Sequence, residues 1–368
     1  MTPDTTTATP DAPARAEVPR ERQRRGTART TGVVLVLLAL GTALTLVSVG
    51  MGQLAIAPGD VLASVLHRLQ VLPGPSPLAE NAESALWLIR FPRVALALLV
   101  GACLGVGGVL MQGVFGNPLA EPGVIGVSSG AALGACTVIV LGLNFFGEWT
   151  VVACAFVGAL AATAVAYRTA RHGGRTEAVT LILTGVAVNA FCGAGIALMT
   201  FLGDTAAREE IVFWQLGSLN GTRWQHVLAV LPACVIGSVL ALAFARQLDL
   251  MSLGDRAARH LGVDVERLRS GTVVLVAILT GAAVAFCGII AFVGLVVPHL
   301  LRMIVGPGHR TLVPASMLGG AVLLLAADLG ARTMVPYADL PIGMLTALVG
   351  GPFFFYLIRR GRRSGAWA

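Results

Sequence analysis

Residues 254–269 read GDRAARHLGVDVERLR, a run dense in charge inside an otherwise apolar chain. Apolar stretches flank it, from about Val227 to Ala245 and from about Val273 to Leu301. Charge at the centre of a bilayer costs about 2.5–3.5 kcal/mol per residue on insertion scales. The run therefore reads as a loop between two embedded segments, and the rest of the chain can be parsed outward from it.

The 368 residues are 56% hydrophobic and only 12% charged, with mean hydropathy +0.81. A soluble domain carries about 25% charged residues. A membrane-spanning helix needs about 20 apolar residues, and the apolar content suffices for about ten. The apolar windows are long enough for helices rather than barrel strands, so the expected class is an all-α polytopic membrane protein.

All 26 basic residues are arginine, and the chain contains no lysine. A P-loop requires G-x-x-x-x-G-K-[ST], so this chain holds no standard nucleotide site. The net charge of +7 follows membrane topology rather than a nucleic-acid surface. Cys103, Cys136, Cys154, Cys192, Cys234 and Cys287 all fall in apolar stretches without C-x-x-C spacing and read as small buried hydrophobes. The histidines are scattered, so no metal site is expected.

Residues 1–29 are rich in Thr, Pro, Ala and Arg and read as a disordered cytoplasmic tail. Thr31–Met51 is the first span, too long for a signal peptide and without a convincing cleavage site. Further windows fall near 94–116, 124–143, 150–167, 178–202, 226–245, 271–286, 288–303, 312–331 and 341–358. Placing the amino terminus inside puts 20 of the 26 arginines on the cytoplasmic side, as the positive-inside rule asks. Arg68, Arg90, Arg93, Arg208, Arg223 and Arg332 are left outside. The loops at 246–269 and 302–310 are both basic, so the chain between them crosses an even number of times. That stretch is short for two full helices, and one or both should be truncated. The embedded domain is then 30–360, with a cytoplasmic tail at 361–368.

A displacement of 180 residues matches Val94 with Val274, Ala97 with Ala277, Leu99 with Leu279 and Gly101 with Gly281. It also matches Ala102 with Ala282, Gly108 with Gly288 and Pro118 with Pro298. The two helices concerned run in opposite directions, as an inverted repeat requires. Such repeats belong to transporters more than to membrane enzymes.

Ion-coupled transporters keep ionisable residues within their spans. Here Asp328 is the main exception, and pairing with Arg332 suits it better than a proton relay. A transporter of this kind draws its energy from another subunit. The segment 252–269 offers the contact. Ser252 to Asp255 resembles a capping box, RAARHL gives about two helical turns, and Gly262 stops them. Asp264 can start a second short helix through Val265 and Leu268. Two short helices with Ala257, Ala258 and Leu261 between charges suit docking into a partner's groove; an ordinary charged loop fits the same residues.

SLGDRAARHLGVDVERLR also resembles the coupling segment of the permeases of iron-siderophore, haem and cobalamin ABC importers, the FecCD/BtuC type of type II importer. RFPRVALALLVGACLGVGGVLMQGVFGNPLAEPGVIGVSSGAALGA (90–135) resembles the most distinctive block of that family. LILTGVAVNAF (181–191), FWQLGSLNGTRW (213–224), GIIAFVGLVVPHLLRMIVGPGHR (288–310), LLLAADLGARTM (323–334) and DLPIGMLTALVGGPFFFYLI (339–358) follow in family order. The likeness covers nearly the whole chain after the tail.

The resemblance implies an ABC type II importer permease fold of ten helices. It implies a dimer, with a second copy or close paralogue, whose pathway lies at the interface. Two cytoplasmic ABC ATPase subunits would carry ATP-Mg, an external substrate-binding protein would deliver cargo, and this chain would be a non-catalytic subunit of a prokaryotic cytoplasmic membrane. Gly254, Asp255, Arg256, Ala257, Ala258, His260, Leu261, Gly262 and Val263 match the coupling segment. Arg90, Arg93 and Arg332 match positions that pair with carboxylates of the binding protein, although outer arginines also snorkel to headgroups. Asn117 and Leu119, in NPLAEPG, match positions near the cytoplasmic gate; a conventional turn with Asn117 capping a helix end fits equally. RHGGRTEA (171–178) carries no family signature.

The expected cargo is an iron chelate, a ferric siderophore first, with haem or cobalamin as alternatives. An ion-coupled secondary transporter is the rival from another class; a membrane enzyme would need a nucleophile–base pair or metal cluster that these residues do not assemble.

Overall fold

The computed structural model describes residues 20–52, 56–72, 78–335 and 338–363, and is almost entirely helical. In chain order the helices are α1 (Arg20–Gly50), α2 (Pro58–Arg68), α3 (Glu80–Ala85), α4 (Phe91–Phe115), α5 (Val127–Leu141) and α6 (Trp149–Ala170). A two-residue-per-strand hairpin, β1 (Arg171–His172) and β2 (Arg175–Thr176), follows. Next come α7 (Ala178–Leu202), α8 (Thr205–Leu216), α9 (Trp224–Met251), α10 (Asp255–His260) and α11 (Val265–Cys287). The chain closes with α12 (Val293–Val305), α13 (His309–Thr333) and α14 (Ile342–Arg363).

Among the described residues, seven helices are long and apolar enough to cross a membrane, and three shorter apolar helices, 127–141, 293–305 and 342–356, bring the set to ten. The truncation expected between the basic loops falls on α12, which has 13 residues. Gly288, at φ +70°, ends α11, and Phe292 adopts a left-handed backbone conformation just before α12. α8 is a short helix between the spanning helices α7 and α9. Trp214 in α8 is half-buried, and Trp224 at the start of α9 donates from Nε1 to the Trp87 carbonyl at 2.9 Å.

α4 is the hub of the bundle and is buried over most of its length. It packs against α9, α11, α12 and, most extensively, α13. A Cβ on Gly101 would run into the Gly320 carbonyl, and one on Gly320 into the Gly101 carbonyl. Two backbones in direct contact give the close small-residue crossing through which membrane helices associate without a hydrophobic driving force.

The packing repeats between two halves taken in the same chain order. Exchanging α4 for α11, α5 for α12, α6 for α13 and α7 for α14 converts the pair α4–α13 into α11–α6, α5–α6 into α12–α13, and α5–α7 into α12–α14, all of which are formed. Gly101 and Gly281 occupy equivalent crossings, the first on Gly320 of α13 and the second on Ala159 of α6. The sequence displacement of 180 fails beyond the helix centre, however. Gly108 lies inside α4 whereas Gly288 ends α11, and Pro118 lies in a loop whereas Pro298 is inside α12. The halves differ in length between helices, so no single displacement can follow both.

The expected tail also needs correction. α1 begins at Arg20, because the Arg, Glu and Gln residues of RERQRR favour helix; residues 1–19 lie outside the described part. At the other end α14 continues to Arg363, and 364–368 lie outside.

Candidate functional site

α10 follows a turn at Ser252–Gly254 and is stopped by Gly262, whose φ of +86° requires the left-handed region that glycine occupies without penalty. The expected capping box is absent. The Ser252 hydroxyl donates instead to the Asp249 carbonyl at 2.7 Å, Gly254 precedes the helix without a side-chain cap, and Asp255 is its first residue. Asp264 does cap, accepting from the Arg267 amide at 3.1 Å. What it starts is the spanning helix α11, since nothing between Val265 and Cys287 breaks the helix.

Ala258 is fully buried, and Val263 is buried beyond the turn; Leu253 and Leu261 are 63% and 56% exposed. Arg256, Arg259 and His260 are exposed beside them. α10 is thus seated by one face and offers apolar side chains ringed by positive charge on the other. The small apolar face expected from Ala257, Ala258 and Leu261 is split: Ala258 packs inward and Leu261 points out.

The charges that also fit an ordinary loop form a network around one buried arginine. Arg269 is only 4% exposed and donates from Nη2 to both Asp255 carboxylate oxygens, at 3.0 and 3.2 Å, and from Nη1 to the Thr176 carbonyl. Glu266 accepts from the Tyr167 hydroxyl at 2.9 Å, the Thr176 hydroxyl at 2.5 Å and the Thr176 amide at 3.0 Å. The signal for these contacts was weak, because Thr176 and Tyr167 lie about a hundred residues before Glu266 in sequence and look unremarkable there. A cavity of about 1030 Å³ opens beside the network, lined in part by Gly113–Gly116 at the end of α4, Gly174–Ala178 and Asp255.

Asn117 is exposed just past the same end of α4, and its Oδ1 accepts from the Leu119 amide at 2.9 Å; Leu119 is half-buried. These two residues form a local turn next to the cavity-lining end of α4. The small residues that open α5 pack closely, a Cβ on Gly130 meeting Ala162 and the Gly158 carbonyl. Ser129 donates to Asn189 Oδ1 at 2.6 Å, and Asn189 donates to the Gly123 carbonyl at 3.1 Å, a polar tie between α5 and α7 that the sequence did not flag.

Arg90, Arg93 and Arg332 sit at the opposite end of the bundle. Charges expected to face a partner are instead engaged within the chain. Arg93 is 7% exposed; its Nε donates to Asp328 Oδ1 at 2.9 Å and its Nη1 to Asp339 Oδ2 at 2.7 Å. Arg332 donates to Asp328 Oδ2 at 3.1 Å and to Ser48 Oγ at 2.5 Å. Arg90 donates to the Val49 and Gly50 carbonyls at 2.7 and 3.0 Å, close to where α1 ends. Asp328, fully buried, holds two arginines, as its expected pairing with Arg332 anticipated in part.

Ten apolar helices among the described residues, packed as a repeat, with a seated, outward-facing charged helix, suit a membrane transport subunit. Comparison with known proteins makes the class specific. The FecCD transport family model matches residues 37–360, and the chain belongs to that family of ABC importer permeases. It is 42% identical to the hemin transport system permease protein HmuU of Yersinia pestis over 90% of this chain and 96% of that protein. It is 39% identical to the cobalamin import system permease protein BtuC of Halobacterium salinarum over 92% and 98%. Among solved structures, an ABC transporter of metal-chelate type in an inward-facing conformation matches with a TM-score of 0.78 at 30% identity, over 90% of this chain and 99% of that one.

Proposed function

We propose that this permease imports a metal chelate across the cytoplasmic membrane, a ferric siderophore first, with haem and cobalamin as alternatives. Its basic end, carrying α10, faces the cytoplasm and two ABC ATPase subunits. A substrate-binding protein delivers cargo at the opposite end, and a second copy or close paralogue completes the pathway. The observation that carries this reading is α10, where exposed Leu253 and Leu261 beside Arg256, Arg259 and His260 form a small amphipathic surface suited to a partner's groove. Asn117 and Leu119, beside the cavity-lining end of α4, suit a gate at the cytoplasmic exit. Docking through Arg90, Arg93 and Arg332 requires their internal contacts to open: the ion pairs of Arg93 and Arg332 and the hydrogen bonds of Arg90 to two carbonyls.

Relatives named for hemin and for cobalamin make those cargoes direct competitors to a siderophore. The test is uptake of labelled ferric siderophores, haem and cobalamin in a strain lacking this chain. Loss of one cargo, restored by the wild-type chain but not by Leu261→Glu, identifies the substrate and supports coupling through α10. Normal uptake by Leu261→Glu contradicts the docking reading.

A further inference from the structure

The hairpin β1–β2 is mostly exposed, and Thr176 is its one buried residue. Its two-residue turn is Gly173–Gly174, with φ of +57° and +78°, the all-positive pattern that matches the twist of a tight hairpin. Two residues after Thr176, α7 begins. Every polar group of Thr176 is held by the first turns of α11: its amide and hydroxyl donate to Glu266, and its carbonyl accepts from Arg269. Arg269 simultaneously holds Asp255, the first residue of α10. The hairpin and the clamp residues Asp255, Glu266 and Arg269 line the same cavity of about 1030 Å³, so the hairpin is not packed on all sides.

We propose that Glu266 and Arg269 are positioning residues that clamp α10, the base of α11 and the β1–β2 hairpin into one body, so that displacement of α10 reaches α7. The inference rests on the importer reading above for its direction of force. The clamp itself is a property of this chain alone. Arg269 is suited to the task because a buried guanidinium that loses its carboxylate is strongly disfavoured, so Asp255 holds α10 to it while the Thr176 carbonyl joins the same guanidinium. Glu266 adds a second, independent tie, and Tyr167 on α6 shares its carboxylate, which fixes where the hairpin hinges.

Two variants test the clamp: Glu266→Ala, which removes the carboxylate, and Thr176→Val, which removes one hydroxyl and keeps the shape. In the full-length chain in nanodiscs, hydrogen exchange of the 171–178 segment should rise about tenfold or more in Glu266→Ala, with 271–287 unchanged. In the complex with its ATPase and binding protein, both variants should keep ATP turnover within about twofold while uptake per ATP falls about tenfold. A purely structural role would lower assembly and ATP turnover together. Unchanged hairpin exchange overturns the clamp, and so does raised exchange with uptake per ATP intact. If Glu266→Ala does not fold, Thr176→Val decides by the same two readouts. A wild-type complex that hydrolyses ATP but imports no chelate counts against the importer reading, whereas the exchange result judges the clamp in either case.

Discussion

Asp328 carries more than any other single side chain at the end of the bundle away from α10. Fully buried, it is shared by Arg93 and Arg332, whose side chains are themselves nearly buried. Removing one member of such a group strands the remaining charges in low dielectric, which costs about 3–5 kcal/mol. Asp328→Ala should therefore lower thermal stability in detergent markedly. Arg223→Ala should not: the Arg223–Glu148 pair, at 2.8 Å, is more than half exposed on both sides, and such a pair contributes under about 1 kcal/mol. Equal losses in a thermal melt would contradict the burial argument. At this scale the sequence was only partly legible. Asp264 as a cap and Gly262 as a stop follow from local rules and are present. Arg90, Arg93 and Arg332 were expected to face a binding protein because they match the family's docking positions and positive-inside counting leaves them outside; neither says anything about depth or partners within the chain. Asp328 lies one helical turn before Arg332, and that pair was legible; the Arg93 contacts to Asp328 and Asp339 and the Arg90 contacts to the carbonyls closing α1 are distant in sequence and become visible only after folding.

Between elements, packing is decided by backbone contact at small residues. The crossing of α4 and α13 at Gly101 and Gly320 has no room for a Cβ on either side. Gly101→Leu must push apart two backbones rather than displace a flexible side chain, so it should exceed the 1–3 kcal/mol typical of overpacking, about 3 kcal/mol or more. Gly32→Leu on α1, with open space around it, should be tolerated. Recovery of monodisperse protein after detergent extraction checks the contrast; equal recovery would mean that the crossing is not as close as described. Helix positions were readable because apolar windows and basic loops constrain one another, and the parity argument foresaw the short α12. The inverted repeat was readable only at the helix centre, where both Gly101 and Gly281 are required by a crossing. Away from it, loop lengths diverge and register is lost. The β1–β2 hairpin gave no signal, since its role comes from what Glu266 and Arg269 do to Thr176.

For the whole molecule, the architecture places two polar networks at opposite ends of one hub helix. One end of α4 is locked by the Arg93–Asp328–Arg332 network, while the other borders the cavity, the hairpin and α10. A bundle fixed at one end and linked to a movable element at the other suits a transporter driven from outside its own chain. The spans offer little for ion coupling: the buried carboxylate of Asp328 is spent on two arginines. The most direct measurement is uptake of labelled chelate into proteoliposomes containing this chain, its ATPase and its binding protein, with ATP and with an ion gradient supplied separately. The account predicts uptake that requires ATP, persists when ionophores collapse all gradients, and is lost in Leu261→Glu. Uptake that continues without ATP and stops with the ionophore would contradict it and identify a secondary transporter.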